Sequence, residues 1–434
     1  MSDETVLPDV LRRPLAERVR LIERGDLDLR PFLEAANEWG FAADARYRAC
    51  AELRPATGAV RLGVKDTVDV AGFPTRLGLR RYRHYPDRSA APLRDKRIEV
   101  TAKVVTTELN IGIGSGCVNP AFPHIDPAGS STGSGVSVAA NICDVSLGTD
   151  VLGSVRWPAA HCGVVGLRTT FDPDVLDGIL PLSPLMDAVG WVARTADDLA
   201  FAWEYLGLGR RPEPGRRRIA VVEEVFDGGC APEVLAALET VSAALEDAGH
   251  EVGRARLGEL WDCRGLAWEL CSADAWRGHR AWGEQLRDDL HESTWAALRS
   301  GAEISAERHA EIRARLVAER AAVPARFDAS DADFWLLPLD PDVPRPIGTH
   351  VRASSTIPTP GDPDYDSRIG YTPVASFAGL PAITFPVAVG AEHGAPIAGQ
   401  LVGRPGSDAE LIRLAGDVAA SASNSRYGRV ISPR

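Results

Sequence analysis

Two serine-bearing glycine turns, joined by an apolar stretch, constrain this chain more than any other feature. The first turn is Gly-Ser-Ser-Thr-Gly-Ser-Gly at residues 129–135, and the second is Leu-Gly-Ser at residues 152–154. Glycine allows the chain to turn tightly, and a turn that opens a helix offers free backbone N–H groups. We therefore expect the two turns to present serine hydroxyls and N–H donors to a reacting carbonyl group.

A serine hydroxyl is a weak nucleophile until a base accepts its proton, and neither turn contains a histidine. Only three of the 48 Lys and Arg residues are lysines. A chain that replaces its surface lysines by arginine keeps a lysine where an amine must lose its proton, because arginine stays protonated. Lys65 lies in a strand-like apolar run bounded by glycines at residues 62–72, so it is the candidate base.

The other two lysines have different surroundings. Lys96 stands in the charged sequence Arg-Asp-Lys-Arg at residues 94–97, which is typical of solvated surface. Lys103 begins an apolar run, which predicts a packed stem with an exposed amine.

These motifs together resemble the amidase signature family, whose catalytic unit is a Ser–Ser–Lys triad. Three segments match family motifs in the family's order: Gly-Val-Lys-Asp at residues 63–66, Ala-Gly-Ser-Ser-Thr-Gly-Ser at 128–134, which overlaps the first turn, and Gly-Thr-Asp-Val-Leu-Gly-Ser-Val-Arg-Trp-Pro-Ala at 148–159. Further matching segments lie at residues 162–170, 181–194, 336–338 and 376–382. The resemblance therefore spans nearly the whole chain.

The resemblance implies a role for each matching residue. Ser154 matches the nucleophile, Ser130 the bridging serine and Lys65 the base. The family separates its two serines by 24 residues, which favours Ser130 over Ser131. The implied oxyanion hole consists of the backbone N–H groups of Val151, Leu152, Gly153 and Ser154.

Other residues are expected to support these turns. Asp150 and Arg156 flank Ser154 with opposite charges, and we expect them to form a pair that fixes the turn, with an ordinary surface pair as the alternative. Ser131 is expected to support the bridging serine beside it.

The sequence departs from the family pattern at Leu152, where the family has glycine. If position 152 needs a positive φ, leucine costs about 1–2 kcal/mol there; otherwise its side chain narrows the acyl pocket. Leu152, Trp157 and Trp335 are the candidate pocket residues. A proline-rich stretch within residues 339–372 is a further candidate for specificity, because in this family the corresponding region borders the substrate.

The alternation of short apolar and helical segments predicts a layered α/β fold. The predicted strands lie near residues 61–64, 104–105, 144–147, 164–167 and 218–222, and helices are predicted at 8–38, 232–249 and 258–325. The resemblance implies a central mixed β-sheet covered by helices on both faces. We expect one amidase-signature domain over 1–434, with a catalytic core at about 60–205, a helical tryptophan-rich segment at about 232–325 and a substrate-bordering part at about 330–434.

Composition excludes several other functions. The net charge of −12, without a basic stripe, argues against nucleic acid or an anionic membrane as partner. Seven scattered cysteines and the lack of a signal peptide or apolar span predict reduced thiols in the cytoplasm. There is no HExxH and no paired CxxC, so we expect neither a metal nor a cofactor. Whether the protein forms a homodimer stays open.

Residues 129–133 also satisfy Gly-x-Ser-x-Gly, the nucleophile elbow of α/β-hydrolases. That elbow needs a buried strand directly before it, whereas Pro120, Pro123 and Pro127 precede this turn. We therefore expect cleavage of a small-molecule amide through an acyl group on Ser154. Two alternatives remain: acyl transfer or ester cleavage by the same intermediate, and a catalytically quiet member of the family, marked by Leu152, that acts as a binding partner.

Overall fold

A single mixed β-sheet contains all the strands in the part of the chain that this computed structural model describes, which is residues 6–424 without 95, 97, 112, 113 and 349–364. In chain order the strands are β1 (Cys50–Leu53), β2 (Leu62–Lys65), β3 (Val100–Val104), β4 (Val145–Asp150), β5 (Val165–Arg168), β6 (Ala188–Ala193), β7 (Arg218–Val222), β8 (Glu251–Ala255), β9 (Phe334–Pro338), β10 (Ala382–Val389) and β11 (Pro396–Gly403). Pro358 and Pro360 of the proline-rich stretch lie outside the described residues.

The helices surround this sheet. They are α1 (Asp9–Arg12), α2 (Leu15–Arg24), α3 (Leu29–Tyr47), α4 (Thr132–Ala139), α5 (Arg156–His161), α6 (Ala196–Tyr205), α7 (Pro232–Asp247), α8 (Glu259–Asp262), α9 (Arg264–Gln285), α10 (Glu292–Ser300), α11 (Ala306–Ala329), α12 (Tyr365–Ile369), α13 (Pro373–Ala378) and α14 (Asp408–Asn424). Short 3₁₀ helices lie at Ala91–Leu93, Glu108–Asn110, Pro173–Leu176, Glu223–Phe226, Arg287–Asp289 and Gly301–Glu303. None of the described helices combines the length and the apolar character needed to cross a lipid bilayer.

The spatial order of the strands is β1-β3-β2-β4-β6-β5-β10-β11-β9-β7-β8. Neighbours are parallel at β3–β2, β2–β4, β9–β7 and β7–β8, and antiparallel elsewhere. The mixed sheet is confirmed, and each predicted strand overlaps an observed one. The region 8–38, predicted to be helical, contains α1, α2 and the first part of α3, which continues to Tyr47. The segment at about 232–325, predicted to be helical and tryptophan-rich, forms α7 to α11 but also contains the strand β8.

Helices cover both faces of the sheet. Because side chains alternate along each strand, neighbouring residues of one strand pack against different helices. In β6, Trp191 and Ala193 belong to the main core, which includes residues of α6, α7 and α14, whereas Val192 packs with residues of α4 and α5. In β2, Val64 faces the main core. Lys65, the next residue, is therefore directed toward the opposite face, where α4 begins.

A buried ion-pair cluster fastens the N-terminal helices to the sheet. Asp144, just before β4, lies 2.6 Å from Arg18 of α2 and 2.7 Å from Arg61, and all three side chains are buried. Burial alone would raise the pKa of Asp144, but the two guanidinium groups hold it well below its ordinary range.

We predict that Asp144→Asn destabilises the protein by about 3–5 kcal/mol, because it leaves two buried arginines without their carboxylate. Asp177→Asn, which breaks pairs at half-exposed Asp177, is the control and should change stability little. Urea denaturation at pH 7 measures both. Since the depressed pKa of Asp144 means that its contribution is lost only as the pH falls below about 4, the gap between wild type and Asp144→Asn should narrow there. A constant gap would contradict the assignment.

Candidate active site

Lys65 ends β2 and its side chain is completely buried. Its Nζ lies 2.8 Å from Oγ of Ser130 and 2.8 Å from Oγ1 of Thr149. Burial lowers the pKa of Lys65 to about 7, although the nearby carboxyls of Asp150 and Asp187 oppose the change. A large share of Lys65 is therefore neutral at physiological pH and can accept a proton.

The first glycine turn places Ser130 and Ser131 against the sheet. The Ser131 hydroxyl donates to the carbonyl of Thr149 (2.9 Å) and accepts the N–H of the same residue (3.3 Å). The Ser131 N–H donates to the carbonyl of Ser154 at 3.0 Å. Ser131 therefore joins the first turn, the end of β4 and the second turn.

Ser154 lies in the second turn, two residues before α5. Ser154 is partly exposed, whereas Lys65 and Ser130 are buried. Among the described residues its hydroxyl has no hydrogen-bond partner, which leaves its oxygen available to a substrate. The three residues implied by the resemblance thus occur as a bonded Lys65–Ser130 pair with Ser154 held beside it through the backbone of Ser131.

Asp150 organises the second turn from within. Its carboxylate accepts the N–H groups of Gly153 (3.0 Å) and Val155 (3.2 Å) and pairs with Arg156 at 2.8 Å and Arg168 at 3.3 Å. Asp150 and both arginines are fully buried, so the surface-pair alternative is wrong. Burial opposes ionisation, but the two arginines hold the pKa of Asp150 well below its ordinary range.

Arg156 also ties the turn to the C-terminal part of the chain. Its guanidinium donates to the carbonyl of Thr372 (2.9 Å), to Oε1 of Gln400 (2.5 Å) and to Oγ of Ser376 (3.0 Å). The Thr372 hydroxyl donates to the carbonyl of Leu152 at 2.6 Å. Thr372 ends the stretch 339–372 that was a candidate for specificity, and Ser376 stands in one of the matched segments. Sequence reasoning missed Gln400, which carries no motif signal.

Gly153, not Leu152, adopts the positive φ that the turn requires. Gly153 has φ +106°, and a Cβ added there would lie 2.4 Å from Cδ1 of Trp157. Leu152 is absent from the described non-glycine residues with positive φ, so the strain considered for it does not arise. Its side chain is 8% exposed and packs in an apolar cluster with Met186 and Leu270 of α9.

The four backbone amides expected to form an oxyanion hole are not equivalent. The Gly153 N–H donates to the Asp150 carboxylate and is therefore not free to bind an oxyanion in this structure. The amides of Val151, Leu152 and Ser154 have no acceptor among the described residues.

The two candidate pocket tryptophans differ in position. Trp157 is half-buried beside Gly153, and its indole N–H donates to the Thr372 hydroxyl at 3.3 Å. Trp335 is wrong as a pocket residue: it is fully buried in the main core, stacked on Phe327 of α11 with ring centroids 3.9 Å apart. Trp335 packs against α11 on its face of β9 and has no exposed surface that a substrate could contact.

Lys103 also differs from expectation, because its amine is buried, not exposed. Its Nζ lies 3.2 Å from a carboxylate oxygen of Asp66 and donates to the carbonyl of Val68 (2.7 Å) and to the hydroxyl of Thr75 (3.1 Å). The chain that follows β2 covers this end of β3, so the lysine stem has no route to solvent.

A sequence model of the Amidase family matches residues 27–412. This chain belongs to the amidase family. The 2-amino-5-chloromuconic acid deaminase of Comamonas testosteroni is 30% identical over 425 residues, which cover 89% of this chain and 88% of that enzyme. A glutamyl-tRNA(Gln) amidotransferase subunit of Chloroflexus aggregans is 27% identical over 445 residues, covering 90% and 88% of the two chains.

Solved structures agree with this assignment. A crystal structure of an amidase superposes with a TM-score of 0.80 at 28% identity and covers 94% of this chain and 99% of its own. A 6-aminohexanoate cyclic dimer hydrolase shares the fold, with a TM-score of 0.79 at 22% identity and coverage of 95% and 97%. The amidase described here is thus a hydrolase that acts on amide C–N bonds.

We predict that Gly153→Ala lowers the free energy of unfolding by roughly 2–4 kcal/mol and abolishes activity, because the new Cβ adds a clash to the backbone strain. Gly25→Ala is the matched control, since Gly25 has φ +77° and nothing within 4 Å of an added Cβ. It should cost only the strain, about 1 kcal/mol. Urea midpoints compare the two variants. Equal losses in both would show that the contact with Trp157 does not constrain the turn.

Proposed function

We propose that this amidase hydrolyses a small-molecule amide through an acyl-enzyme on Ser154, with Lys65 as base and Ser130 as proton relay. The observation that carries the proposal is the fully buried Lys65 amine, 2.8 Å from the Ser130 hydroxyl and with a pKa lowered to about 7. Partly exposed Ser154, held beside this pair by Ser131, is the hydroxyl that a substrate can reach.

The proposed reaction moves one proton back and forth. Neutral Lys65 accepts the proton of Ser130 while Ser130 accepts that of Ser154, whose oxygen attacks the amide carbonyl carbon. The reverse transfer protonates the leaving nitrogen, and the C–N bond breaks to release ammonia or an amine. Water, deprotonated by the same relay, then attacks the ester carbonyl and releases the carboxylic acid and Ser154.

The negative charge on the carbonyl oxygen needs donors during both attacks. We assign this role to the amides of Val151, Leu152 and Ser154, since that of Gly153 is engaged by Asp150. A well-placed donor of this kind contributes of order 3 kcal/mol to the transition state. Asp150 and Arg156 act indirectly, by fixing the turn that aims these amides.

Leu152 and Trp157 are the side chains that we propose to limit substrate size. Trp157 is half-buried next to Gly153. Leu152 occupies space that glycine would leave empty, and this favours a small acyl group. Acyl transfer is the second candidate, because an amine can attack the same ester carbonyl on Ser154 in place of water.

A fluorophosphonate probe should label the wild-type protein at Ser154, since such probes react with activated serine hydroxyls. Ser154→Ala should lose the label, and Ser242→Ala, a serine of α7 bonded to its own helix, should keep it. Gel fluorescence and mass spectrometry of the labelled peptide measure this. Labelling that persists in Ser154→Ala would assign the nucleophile elsewhere. Product partitioning between water and added hydroxylamine then separates hydrolysis from transfer.

The rate should depend on pH through Lys65. Because only the neutral amine accepts a proton, kcat/KM for an uncharged amide should rise as the pH passes through about 7 and level off above it. Lys65→Arg keeps the charge but not the basicity, so kcat should fall roughly thousand-fold or more. Lys65→Met controls for loss of charge and should be equally inactive. Near-normal turnover of Lys65→Arg would remove Lys65 from the mechanism.

A further inference from the structure

Thr372 stands directly before α13, where a threonine usually caps the helix, but its side chain does not cap it. A threonine in this place normally accepts a backbone N–H group of the first helical turn, and that bond stabilises the helix. The Thr372 hydroxyl instead donates, at 2.6 Å, to the carbonyl of Leu152 in the catalytic turn, the second glycine turn at residues 152–154. Its side chain is buried. The hydroxyl therefore serves the catalytic turn and not its own helix.

The three carbonyl groups of the catalytic turn all accept hydrogen bonds from the chain. Two of them accept backbone N–H groups, in the pairs Gly153 with Trp157 (2.7 Å) and Ser154 with Ser131 (3.0 Å). Among the described residues, the carbonyl of Leu152 is the only one of the three whose donor is a side chain, that of Thr372. A single substitution at Thr372 can therefore release this carbonyl and leave the other two bonded.

The bond from Thr372 fixes one peptide group at both of its edges. The Leu152 carbonyl and the Gly153 N–H belong to the same planar peptide group. Thr372 holds the oxygen of this group, and the Asp150 carboxylate holds its N–H at 3.0 Å. Gly153 has φ +106°, and glycine restricts the rotation of its backbone less than any other residue does. The orientation of this peptide therefore depends on its two hydrogen bonds.

This peptide lies between two of the amides that we assign to the oxyanion hole. The Leu152 N–H precedes it and the Ser154 N–H follows it, and neither has an acceptor among the described residues. Rotation of the peptide changes ψ of Leu152 and φ of Gly153, and so alters the angle between these two N–H groups. Because donors stabilise a developing charge best when they already point at it, the bond from Thr372 bears on catalysis.

The indole of Trp157 holds the Thr372 hydroxyl in place. Its N–H donates to Oγ1 of Thr372 at 3.3 Å, while the hydroxyl donates to Leu152. Hydrogen bonds in such a chain strengthen one another. Both side chains use the space that glycine leaves free, because a Cβ on Gly153 would lie 2.5 Å from the indole nitrogen and 2.7 Å from Oγ1 of Thr372. The Thr372 backbone is fixed as well, since its carbonyl accepts from Arg156 at 2.9 Å.

We propose that Thr372 is a positioning residue of the oxyanion hole. Its hydroxyl, oriented by Trp157, fixes the peptide between Leu152 and Gly153 and so keeps the N–H groups on either side of it pointed at the carbonyl oxygen of the substrate. Thr372 is too buried to contact the substrate and takes no part in proton transfer. The inference rests on the proposed acyl-enzyme at Ser154.

Thr372→Val removes the hydroxyl and keeps the shape of the side chain, whereas Thr372→Ser keeps the hydroxyl. With butanamide as substrate, kcat of Thr372→Val should fall about 10- to 100-fold while KM stays within about threefold, because only the transition state carries the oxyanion. Thr372→Ser should restore kcat to within about threefold of wild type. The pH midpoint of kcat/KM should not change in either variant, since the hydroxyls bonded to Lys65 are those of Ser130 and Thr149.

Thr195→Val is the matched control. Thr195 stands directly before α6 and does cap its helix, by accepting the N–H of Asp198 at 3.1 Å. Its replacement should lower the melting temperature and leave kcat within about twofold of wild type. A folded Thr372→Val with wild-type kcat, or a Thr372→Ser as slow as Thr372→Val, would overturn the proposal.

Trp157→Phe replaces Thr372→Val if the latter does not fold, as judged by its melting curve. This change removes the indole N–H that orients the Thr372 hydroxyl but keeps an aromatic ring. It should lower kcat about threefold or more, without a change in the pH midpoint of kcat/KM. Unchanged kcat in Trp157→Phe would then refute the role of Thr372.

The rate of labelling by a fluorophosphonate separates this inference from the proposed hydrolysis. Attack of Ser154 on the probe also places negative charge on an oxygen, so Thr372→Val should slow labelling about tenfold or more. If the wild type is labelled but hydrolyses no amide, the proposed hydrolysis fails and the labelling rates still decide the role of Thr372. Equal labelling rates in wild type and Thr372→Val would overturn that role alone, and a wild type that is not labelled at Ser154 would overturn both.

Discussion

The rest of this active site depends on the burial of one amine, that of Lys65. Lys65 is surrounded by protein, and both of its hydrogen-bond partners, Ser130 and Thr149, are uncharged hydroxyls. A buried lysine with a carboxylate partner would stay charged and could not act as a base. Asp150 lies close enough to favour the charged amine, but Arg156 and Arg168 already balance its charge. Burial therefore prevails, and the pKa of Lys65 falls to about 7.

The carboxylate of Asp150 connects this chemistry to the fold. Asp150 fixes the amides of Gly153 and Val155, while Arg156 extends the connection to Thr372, Ser376 and Gln400 at the far end of the chain. The catalytic turn is therefore held from both sides, by the first glycine turn through Ser131 and by the C-terminal segment through Arg156.

Local signals are sufficient to predict the catalytic candidates. Lys65 can be found because lysine is scarce in this chain, and Ser130 and Ser154 because glycine turns and motif spacing single them out. The strands can also be predicted locally, because short apolar runs bounded by glycines are typical of β-strands. The single-domain organisation and the homodimer stay predictions.

Errors arise where the answer depends on which way a side chain faces. Trp335 is predicted to line the pocket, but the register of β9 directs it onto Phe327 of α11. Lys103 is predicted to reach solvent, but the segment after β2 covers it and supplies Asp66. Gln400 carries no motif, and only the tertiary fold brings it and Thr372 to Arg156. Leu152 avoids strain because Gly153 alone takes the positive φ.

The protonation state of Lys65 is the claim to test most directly, and the scarcity of lysine makes this practical. With ¹³C-labelled lysine, the Cε resonances of only three residues need to be followed from pH 5 to pH 11, and Lys65→Arg identifies the signal of interest. We predict that the resonance missing from this variant titrates near pH 7 in the wild type. A midpoint above about pH 9 for that resonance would mean that the amine is charged at neutral pH, and would contradict the proposed role of Lys65 as base.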